Sequence, residues 1–332
     1  MSKQGVAAQF LDVSRLGALL RQFNSWQGLL SLAYHRIGDG ANYPYERGLW
    51  SATPENFESQ LRFLKKDFDV IGPSDLPEVL SKHRGRYVLI TFDDGYQDNY
   101  KIAFPILKRQ GVSATFFLST GFLDHPRLPW WNEIAWMIQT CSRQTIPGGN
   151  YLAHAVVLDG PDRQQALRLV LRKYKSLPGD SASEYLNFLA DATGAGRFQE
   201  NGLANEWMTW DMVREMKTGG MFFGGHTVNH PVLAQLPVTQ QREEIAGCAR
   251  RLLEELGEPM QWFSYPVGGR DAFNEDTHLC LREQNVKYAF SYYGGFRKFT
   301  DGDPFNIPRT AVELDVTPNL FRAVLTIPQI FA

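Results

Sequence analysis

The segment YVLITFDDGYQDN, residues 87–99, decides the fold class, because a nearly continuous apolar run leads directly into two acids and a glycine. Such a run is typical of a strand in a parallel sheet that is covered on both faces. Ligands bind beyond the carboxyl ends of these strands, so Asp93 and Asp94 are candidate site residues. Taken alone, the pair has a simpler explanation, in which it caps the next helix and shapes its turn.

Further β-rich runs alternate with helical patterns, which predicts an α/β fold with a mainly parallel sheet. The other predicted strands are residues 29–34, 112–119, 221–225, 261–265 and 287–293. One helix is expected to begin at Thr53, Pro54 and Glu55, which supply its cap, its first-turn proline and an early acid. Other helices are expected near residues 98–110, 210–218 and 239–256.

The alternation stops over about residues 124–206, where loops rich in proline and glycine separate helical patterns near 163–175 and 181–193. We interpret this stretch as a mostly helical insertion in a domain that spans residues 29–325. Residues 1–28 are then an N-terminal arm.

Composition excludes some classes of partner and of framework. The 332 residues carry 34 basic and 36 acidic side chains, so no overall positive charge attracts nucleic acid. Cys141, Cys248 and Cys280 lie far apart in the sequence, which argues against a disulfide framework and fits a reducing compartment.

The N-terminal segment resembles neither a signal peptide nor a membrane span. Asp12, Arg15 and Arg21 interrupt its apolar residues, and no run of about 18 apolar residues occurs anywhere. We therefore expect a cytoplasmic protein, with export by another route left open. Apolar side chains near one helical face are expected to dock on the protein itself, the alternatives being a partner or peripheral contact with a membrane. They are Phe10, Val13, Leu16, Leu20 and Phe23.

A second motif follows another apolar strand, in GMFFGGHTVNHPVL, residues 220–233. His226 and His230 stand four residues apart, which places both imidazoles on one side if the backbone there is helical. Two histidines and one carboxylate leave coordination positions open for water and substrate, as in a catalytic site for a divalent metal. The alternative is one buried core histidine and one that caps a helix.

The two motifs together resemble the polysaccharide deacetylases, carbohydrate esterase family four. TFDDG, residues 91–95, followed by HTVNH, residues 226–230, carries this resemblance, which extends over about residues 29–312. It implies a distorted (β/α) barrel and the removal of N-acetyl groups from sugars. It also implies a bound divalent metal, for which we expect Zn²⁺, with Co²⁺ or Ni²⁺ as alternatives.

The resemblance assigns a role to each matching residue. Asp94, His226 and His230 would bind the metal, while Asp93 would be the general base that activates water. Thr227 would support the histidine loop.

A third segment, FSYPVGG at residues 263–269, resembles the family motif whose backbone N–H after the proline holds the oxyanion, here that of Val267. The family motif usually begins with an arginine and has an aromatic residue after its proline, and this chain has neither. Tyr265 and Pro266 are the residues that we expect to remain as a substrate wall.

The usual C-terminal leucine-x-histidine motif is also absent, because no histidine follows His278. SLAYHRIGDG, residues 31–40, resembles the Y-H-R segment of the subgroup that deacetylates poly-N-acetylglucosamine. It implies His35 as the general acid, a role that suits an imidazole. The alternative is a strand-end histidine bonded to backbone.

IPRTAV, residues 307–312, resembles the segment that brings an arginine to the site in that subgroup. Arg309 is therefore expected to orient Asp93, the alternative being a plain surface ion pair. Trp130 and Trp131, in LPWWNE, offer flat apolar faces to a sugar, the alternative being buried packing.

These observations predict a metal-dependent N-deacetylase that acts on a polysaccharide or a glycan precursor. Two alternatives stay open: a hydrolase of another C–N bond, such as that of a formamide or a cyclic ureide, and a glycan-binding relative without activity.

Overall fold

The computed structural model describes residues 3–14, 16–22, 25–158, 163–199 and 205–332. Phe23, expected on the apolar face of the arm, lies outside these residues, as does the side chain of Val13. The described strands are β1 (Gly28–Tyr34), β2 (Arg36–Ile37), β3 (Trp50–Ala52), β4 (Asp69–Ile71), β5 (Arg86–Phe92), β6 (Thr115–Leu118), β7 (Thr145–Ile146), β8 (Val156–Val157), β9 (Phe222–Gly225), β10 (Trp262–Ser264), β11 (Tyr288–Phe290) and β12 (Arg309–Ala311).

The described α-helices surround these strands. They are α1 (Lys3–Val13), α2 (Leu16–Gln22), α3 (Pro54–Asp67), α4 (Leu76–Leu80), α5 (Phe104–Gln110), α6 (Thr120–Asp124), α7 (Trp130–Thr140), α8 (Gln164–Lys175), α9 (Ala182–Thr193), α10 (Trp210–Thr218), α11 (Val238–Leu256), α12 (Glu275–Glu283), α13 (Pro318–Thr326) and α14 (Pro328–Phe331).

The main sheet is a nearly closed parallel barrel. Its strands run in the order β11-β10-β9-β6-β5-β1-β12, and β4 pairs with the first half of β5. Ile307, just before β12, forms a parallel bridge with Phe290 at the end of β11, which brings the two ends of the sheet together. The predicted (β/α) barrel is confirmed, and all carboxyl ends of its strands meet at one rim.

The six predicted strands are all present, with bounds that differ by a few residues. The barrel strands β4 and β12 were not predicted, because their sequences, DVI and RTA, are short and begin with a charged residue, so they do not stand out as apolar runs. Helix α3 begins as expected, with the Thr53 hydroxyl accepting a hydrogen bond from the Asn56 N–H at 3.3 Å.

The chain between β6 and β9 adds helices and the small antiparallel sheet β7-β8 to one side of the rim. Its buried side chains, among them Ile134, Leu167 and Leu189, form a hydrophobic cluster separate from the barrel core. Tyr96, which follows the aspartate motif, belongs to this second cluster. The added helices are therefore anchored directly beside the rim.

The N-terminal helices α1 and α2 pack against α13. Arg21 donates to Asp67 at 3.1 Å, and the Trp26 indole donates to the Leu325 carbonyl at 2.8 Å. Phe10 stays 66% exposed. Within the described ranges, no helix combines the length and the apolar character needed to cross a membrane.

Candidate active site

The aspartate motif turns both of its carboxylates into one cavity. Asp93 follows β5 directly, and its N–H donates to the Tyr34 carbonyl at 3.0 Å. Asp94 has a φ of 76° and Gly95 a φ of 96°, so the strand ends in a left-handed turn. Neighbouring residues in a strand point to opposite faces of the sheet. Because the strand ends in this turn, the side chains of Asp93 and Asp94 can point to the same side. Both aspartates consequently line the same pocket, of about 400 Å³, at the rim of the barrel.

Asp93 is held by a buried guanidinium. Arg309 donates from its two terminal nitrogens to the two carboxylate oxygens of Asp93, each at 2.7 Å. The same guanidinium donates to the hydroxyls of Ser264 at 2.6 Å and Thr91 at 3.1 Å. Arg309 is 0% exposed, so the alternative of a surface ion pair is wrong.

The charge state of Asp93 follows from this clamp. Burial by itself would raise the pKa of Asp93, but the Arg309 guanidinium, followed by His226, outweighs it and holds the pKa well below its usual range. Asp93 is therefore ionised at neutral pH, although its side chain is buried.

The histidine motif is a loop, so the condition of a helical backbone between His226 and His230 is not met. Thr227 and His230 have φ values of 66° and 57°, which coil the chain tightly. The Thr227 hydroxyl accepts from the His230 N–H at 2.9 Å, and one Glu244 oxygen accepts from the N–H groups of Val228 and Asn229. The two imidazoles nevertheless meet, with ring centroids 4.7 Å apart.

Asp94, His226 and His230 converge on one point. Oδ1 of Asp94 lies 3.5 Å from Nε2 of His226 and 3.4 Å from Nε2 of His230. One ligand atom from each of the three residues lies within 4.8 Å of the others. Nδ1 of His226 is 2.7 Å from the Ser264 carbonyl, which can only accept, so the proton is on Nδ1 and the Nε2 lone pair faces the cluster.

This cluster has the properties of a metal site. Oδ1 of Asp94 is buried, and no protein group in the described part of the chain donates to it. Burial, and then the Asp93 charge, raises the pKa of Asp94 well above its ordinary value, while burial lowers the pKa of His226 and of His230. Neutral imidazoles beside an unpartnered carboxylate fit a divalent cation.

The turn after β10 exposes one backbone donor. Val267 has a φ of 64°, which is rare for a β-branched residue. The Gly268 N–H donates to the Pro266 carbonyl at 2.6 Å, and the Tyr292 N–H donates to the Gly268 carbonyl at 2.7 Å. Among the described residues, none accepts a hydrogen bond from the Val267 N–H, which is therefore free for a ligand.

Backbone strain concentrates at this rim. Six non-glycine residues of the described ranges have positive φ values, and four of them lie here: Asp94, Thr227, His230 and Val267. Residues in such conformations cost free energy and persist where the surrounding structure imposes them, often at functional sites.

His35 lies just beyond β1, in the lining of the pocket that also holds Asp94, His226 and His230. Its N–H donates to the Ser51 hydroxyl at 2.9 Å, and its carbonyl accepts from the Asn99 amide at 2.7 Å. Its ring packs edge-on against Tyr292 at 5.5 Å and lines the pocket. No group in the described part of the chain is hydrogen-bonded to the ring, so the backbone-bonded alternative is wrong for the imidazole. Burial lowers the pKa of His35 to about 4, against the opposing effect of Asp93.

Both tryptophans line the pocket and are also part of the packing. The Trp130 indole donates to the His230 carbonyl at 3.1 Å, and the Trp131 indole donates to the Tyr96 hydroxyl at 3.0 Å. The Trp131 ring lies 4.4 Å from the His230 ring. Both indole rings therefore contact His230 of the histidine loop and also have atoms in the pocket wall, where a ligand can contact them.

Of the two residues expected as a substrate wall after β10, only Tyr265 reaches the pocket. Its hydroxyl is turned away and donates to the Phe305 carbonyl at 2.8 Å. Pro266 is buried and does not line the pocket, because the strained turn presents Val267 instead. The expectation for Pro266 is wrong.

The pocket has further lining residues that the sequence did not single out. Tyr292 stands just beyond β11, and the strand-end rule that located Asp93 would have found it. The others come from loops and from helix α8, and no motif marks them: Glu46, Gly48, Leu49, Gln164, Arg168, Leu171, Lys175 and Glu313.

The chain is a parallel (β/α) barrel with one carboxylate and two imidazoles clustered at its strand ends. Solved structures of known proteins share this fold. The deacetylase PplD of Streptococcus pyogenes, solved in complex with acetate, superimposes with a TM-score of 0.59 at 19% identity, covering 92% of this chain and 98% of that one. IcaB from Ammonifex degensii gives a TM-score of 0.57 at 21% identity, with the same coverage. At these identities, the similarity establishes the fold.

Sequence comparison identifies the family. The family model described as polysaccharide deacetylase matches residues 81–143 and 178–289. The protein "Putative polysaccharide deacetylase YxkH" of Bacillus subtilis strain 168 is 32% identical over 98 residues, which is 28% of this chain and 33% of that protein. The matched region thus spans about a third of that relative's length. The chain belongs to the polysaccharide deacetylase family.

Proposed function

We propose that the protein is a metal-dependent N-deacetylase that removes acetyl groups from N-acetylated sugars of a glycan or glycan precursor. One observation carries this proposal: a buried cluster of Asp94, His226 and His230 lies beside a second aspartate, Asp93, whose charge is held by Arg309. A structural cluster has no use for the separate ionised carboxylate, whereas hydrolysis requires a base next to the metal.

The residues of the cluster set the metal preference. Asp94, His226 and His230 would hold a divalent cation through one oxygen and two nitrogens, a set that suits Zn²⁺, with Co²⁺ and Ni²⁺ as alternatives. Bound there, the cation would supply Lewis acidity and lower the pKa of water.

The remaining residues divide the proton transfers. Asp93 would take a proton from the attacking water, and the Val267 N–H would donate to the oxygen on which charge develops. His35 would protonate the departing amine. Burial lowers the pKa of His35, so this imidazole is neutral at the start of the cycle. Asp93 would take one proton of the attacking water, and His35 would relay the second, which stays on the added oxygen, to the departing nitrogen. The products are acetate and a free amino sugar.

The direct test is acetate release by the zinc-loaded protein from N-acetylated glycans and glycan precursors. Formamides and cyclic ureides in the same panel test the alternative C–N substrates. Tight metal binding without turnover on any of them would instead favour a glycan-binding relative. We also propose a cytoplasmic location, where the protein would meet glycan precursors that are made inside the cell.

Asp93→Asn is expected to reduce turnover by about 10²- to 10⁴-fold, because the base is lost. Its metal content is expected to match the wild type, since Asp93 is not one of the three cluster residues. The measurement pairs acetate release with metal analysis of the purified variant. Asp124→Asn is the matched control, because Asp124 also accepts two hydrogen bonds from an arginine, Arg251, away from the pocket. A rate unchanged by Asp93→Asn would show that Asp93 is not the base.

His35→Ala is expected to reduce kcat by about 10²- to 10⁴-fold on an N-acetylated sugar, because an amine must be protonated to leave. The reduction is expected to be much smaller on 4-nitrophenyl acetate, whose leaving group departs as a stable anion. The measurement is kcat on each of the two substrates, for the wild type and the variant, with one preparation of each protein. Equal losses on both would assign His35 a role other than general acid.

A further inference from the structure

One face of helix α8 forms a wall of the active-site pocket. The helix spans Gln164–Lys175 and contributes Gln164, Arg168, Leu171 and Lys175 to the pocket lining. These positions are four, three and four residues apart, the spacing of a single helix face. Helix α8 thus places two cationic side chains, Arg168 and Lys175, in the wall of the pocket that the metal-ligand candidates also line.

The charge of this helix differs from that of the whole chain. Its sequence, QQALRLVLRKYK, carries four cationic residues and no acid, whereas the whole chain has a formal net charge of -2. Among the described residues, no carboxylate is close enough to Arg168 or Lys175 to form an ion pair. Within the described ranges, Arg168 donates to the Gln164 carbonyl of its own helix, at 3.3 Å, and to no other group. Both positive charges are therefore available to a ligand.

The acids of the pocket do not neutralise these cations by direct contact. Glu46 is buried and its carboxylate accepts from the Gly48 N–H at 2.7 Å. Glu313 comes from the loop after β12, on the side of Tyr292. The charge of Lys175 does reach the site, since it adds, after burial, Arg309 and His226, to the lowering of the pKa of His35.

Helix α8 also lies outside the part of the chain that the family shares. The polysaccharide deacetylase model matches residues 81–143 and 178–289, and α8 falls between these two segments. A wall built from this stretch can therefore determine a substrate preference that the family fold does not.

We propose that Arg168 and Lys175 bind a phosphate ester carried by the sugar whose N-acetyl group is hydrolysed, which rests on the proposed function. Arginine recognises phosphate oxygens through paired N–H donors, and lysine binds them as a point charge. The cavity of about 400 Å³ is at the small end of ligand sites, which suits a short phosphorylated glycan better than a long neutral polymer. A lipid-linked and a nucleotide-linked sugar share this chemistry.

The test compares N-acetylglucosamine 1-phosphate with neutral methyl N-acetylglucosaminide as substrates of the zinc-loaded protein. The wild type is expected to prefer the phosphate ester. Arg168→Met with Lys175→Met is expected to lower the ratio of the two kcat/KM values by at least about tenfold, as expected for lost charge-assisted hydrogen bonds. Arg172→Met, which removes a charge from the same helix away from the pocket, is the matched control and is expected to keep the ratio.

A binding measurement separates this proposal from the proposed function. Calorimetric titration with N-acetylglucosamine 1-phosphate is expected to show weaker binding by the double variant than by Arg172→Met. If no substrate is turned over but this difference appears, the phosphate site stands and the deacetylase does not. If neutral and phosphorylated sugars are turned over alike and the double variant keeps their ratio, the phosphate site is overturned and the deacetylase stands.

Two further arms identify the source of the phosphate. UDP-N-acetylglucosamine tests the nucleotide-linked form, and a short prenyl diphosphate sugar tests the lipid-linked form. Binding to vesicles that contain phosphatidylglycerol is measured in parallel. If the double variant loses vesicle binding and keeps its affinity for the sugar phosphate, helix α8 binds an anionic membrane surface and the proposal is wrong.

Discussion

Arg309→Met is expected to lower the free energy of unfolding by about 3–5 kcal/mol, because it leaves the buried Asp93 carboxylate without its counter-charge. Arg309 is fully buried and donates to both oxygens of Asp93, as well as to Ser264 and Thr91. Turnover is expected to fall as well, since the base would lose both its ionised state and its orientation. Urea unfolding in the presence of a chelator measures the stability without any contribution from metal.

The control for this substitution is Arg242→Met. Arg242 also donates twice to one carboxylate, that of Glu283, but both side chains are 44% exposed. We expect a change of about 0–1 kcal/mol there, as for other surface ion pairs. The double variant Arg309→Met with Asp93→Asn is expected to recover part of the lost stability, because no buried charge remains. Equal effects at Arg309 and Arg242 would contradict this interpretation of the clamp.

The effect of Arg309→Met also depends on pH. In the wild type the pKa of Asp93 is held below its unfolded value of about 4, which adds stability above that pH. In the variant burial, the largest effect, is opposed only by the weaker effects of His226 and His35, so we expect the pKa to rise and stability to be lost as the pH rises above about 4. The difference between the two proteins is therefore expected to be largest near neutral pH and to shrink as the pH falls toward 4.

Asp94→Asn is expected to weaken zinc binding by at least about 100-fold, since changing even an outer partner of a metal ligand costs about 10- to 100-fold. Turnover of N-acetylated sugars is expected to be lost with the metal. The wild type is expected to gain about 4 kcal/mol of stability at zinc concentrations about 1,000 times its dissociation constant. At the same zinc concentration the variant is expected to gain about 1.4 kcal/mol or less.

Without metal, the same substitution is expected to raise stability at neutral pH. The Asp94 carboxylate is buried with a raised pKa, and an asparagine amide can donate to the Nε2 atoms of His226 and His230. Thermal unfolding with chelator and with zinc measures both effects. His278→Gln is the control, because His278 lies on α12 away from the pocket and its loss should leave the zinc effect intact. A full zinc effect in Asp94→Asn would exclude Asp94 as a ligand.

Much of the site could be predicted because its residues follow barrel strands. Asp93 and Asp94 follow β5, and His226 follows β9, so the rule that ligands bind at strand ends places them together. The same rule does not predict the position of the His230 side chain, because His230 lies five residues beyond the end of β9. A helical backbone would have brought the two imidazoles together, but the motif is a loop, and it reaches the same result through two strained residues and the Thr227 hydroxyl.

The aspartate motif and the histidine motif by themselves determined the class of chemistry and the strands that carry it, because a strand and its end are specified by their own few residues. Only the tertiary structure decided which groups act on them. Arg309 is 216 residues from Asp93, and their contact depends on the register of the strands that bring β12 beside β1. Helix α8 likewise has no local motif. Its cations, Arg168 and Lys175, are candidates for binding a ligand only because the fold brings them to the pocket wall.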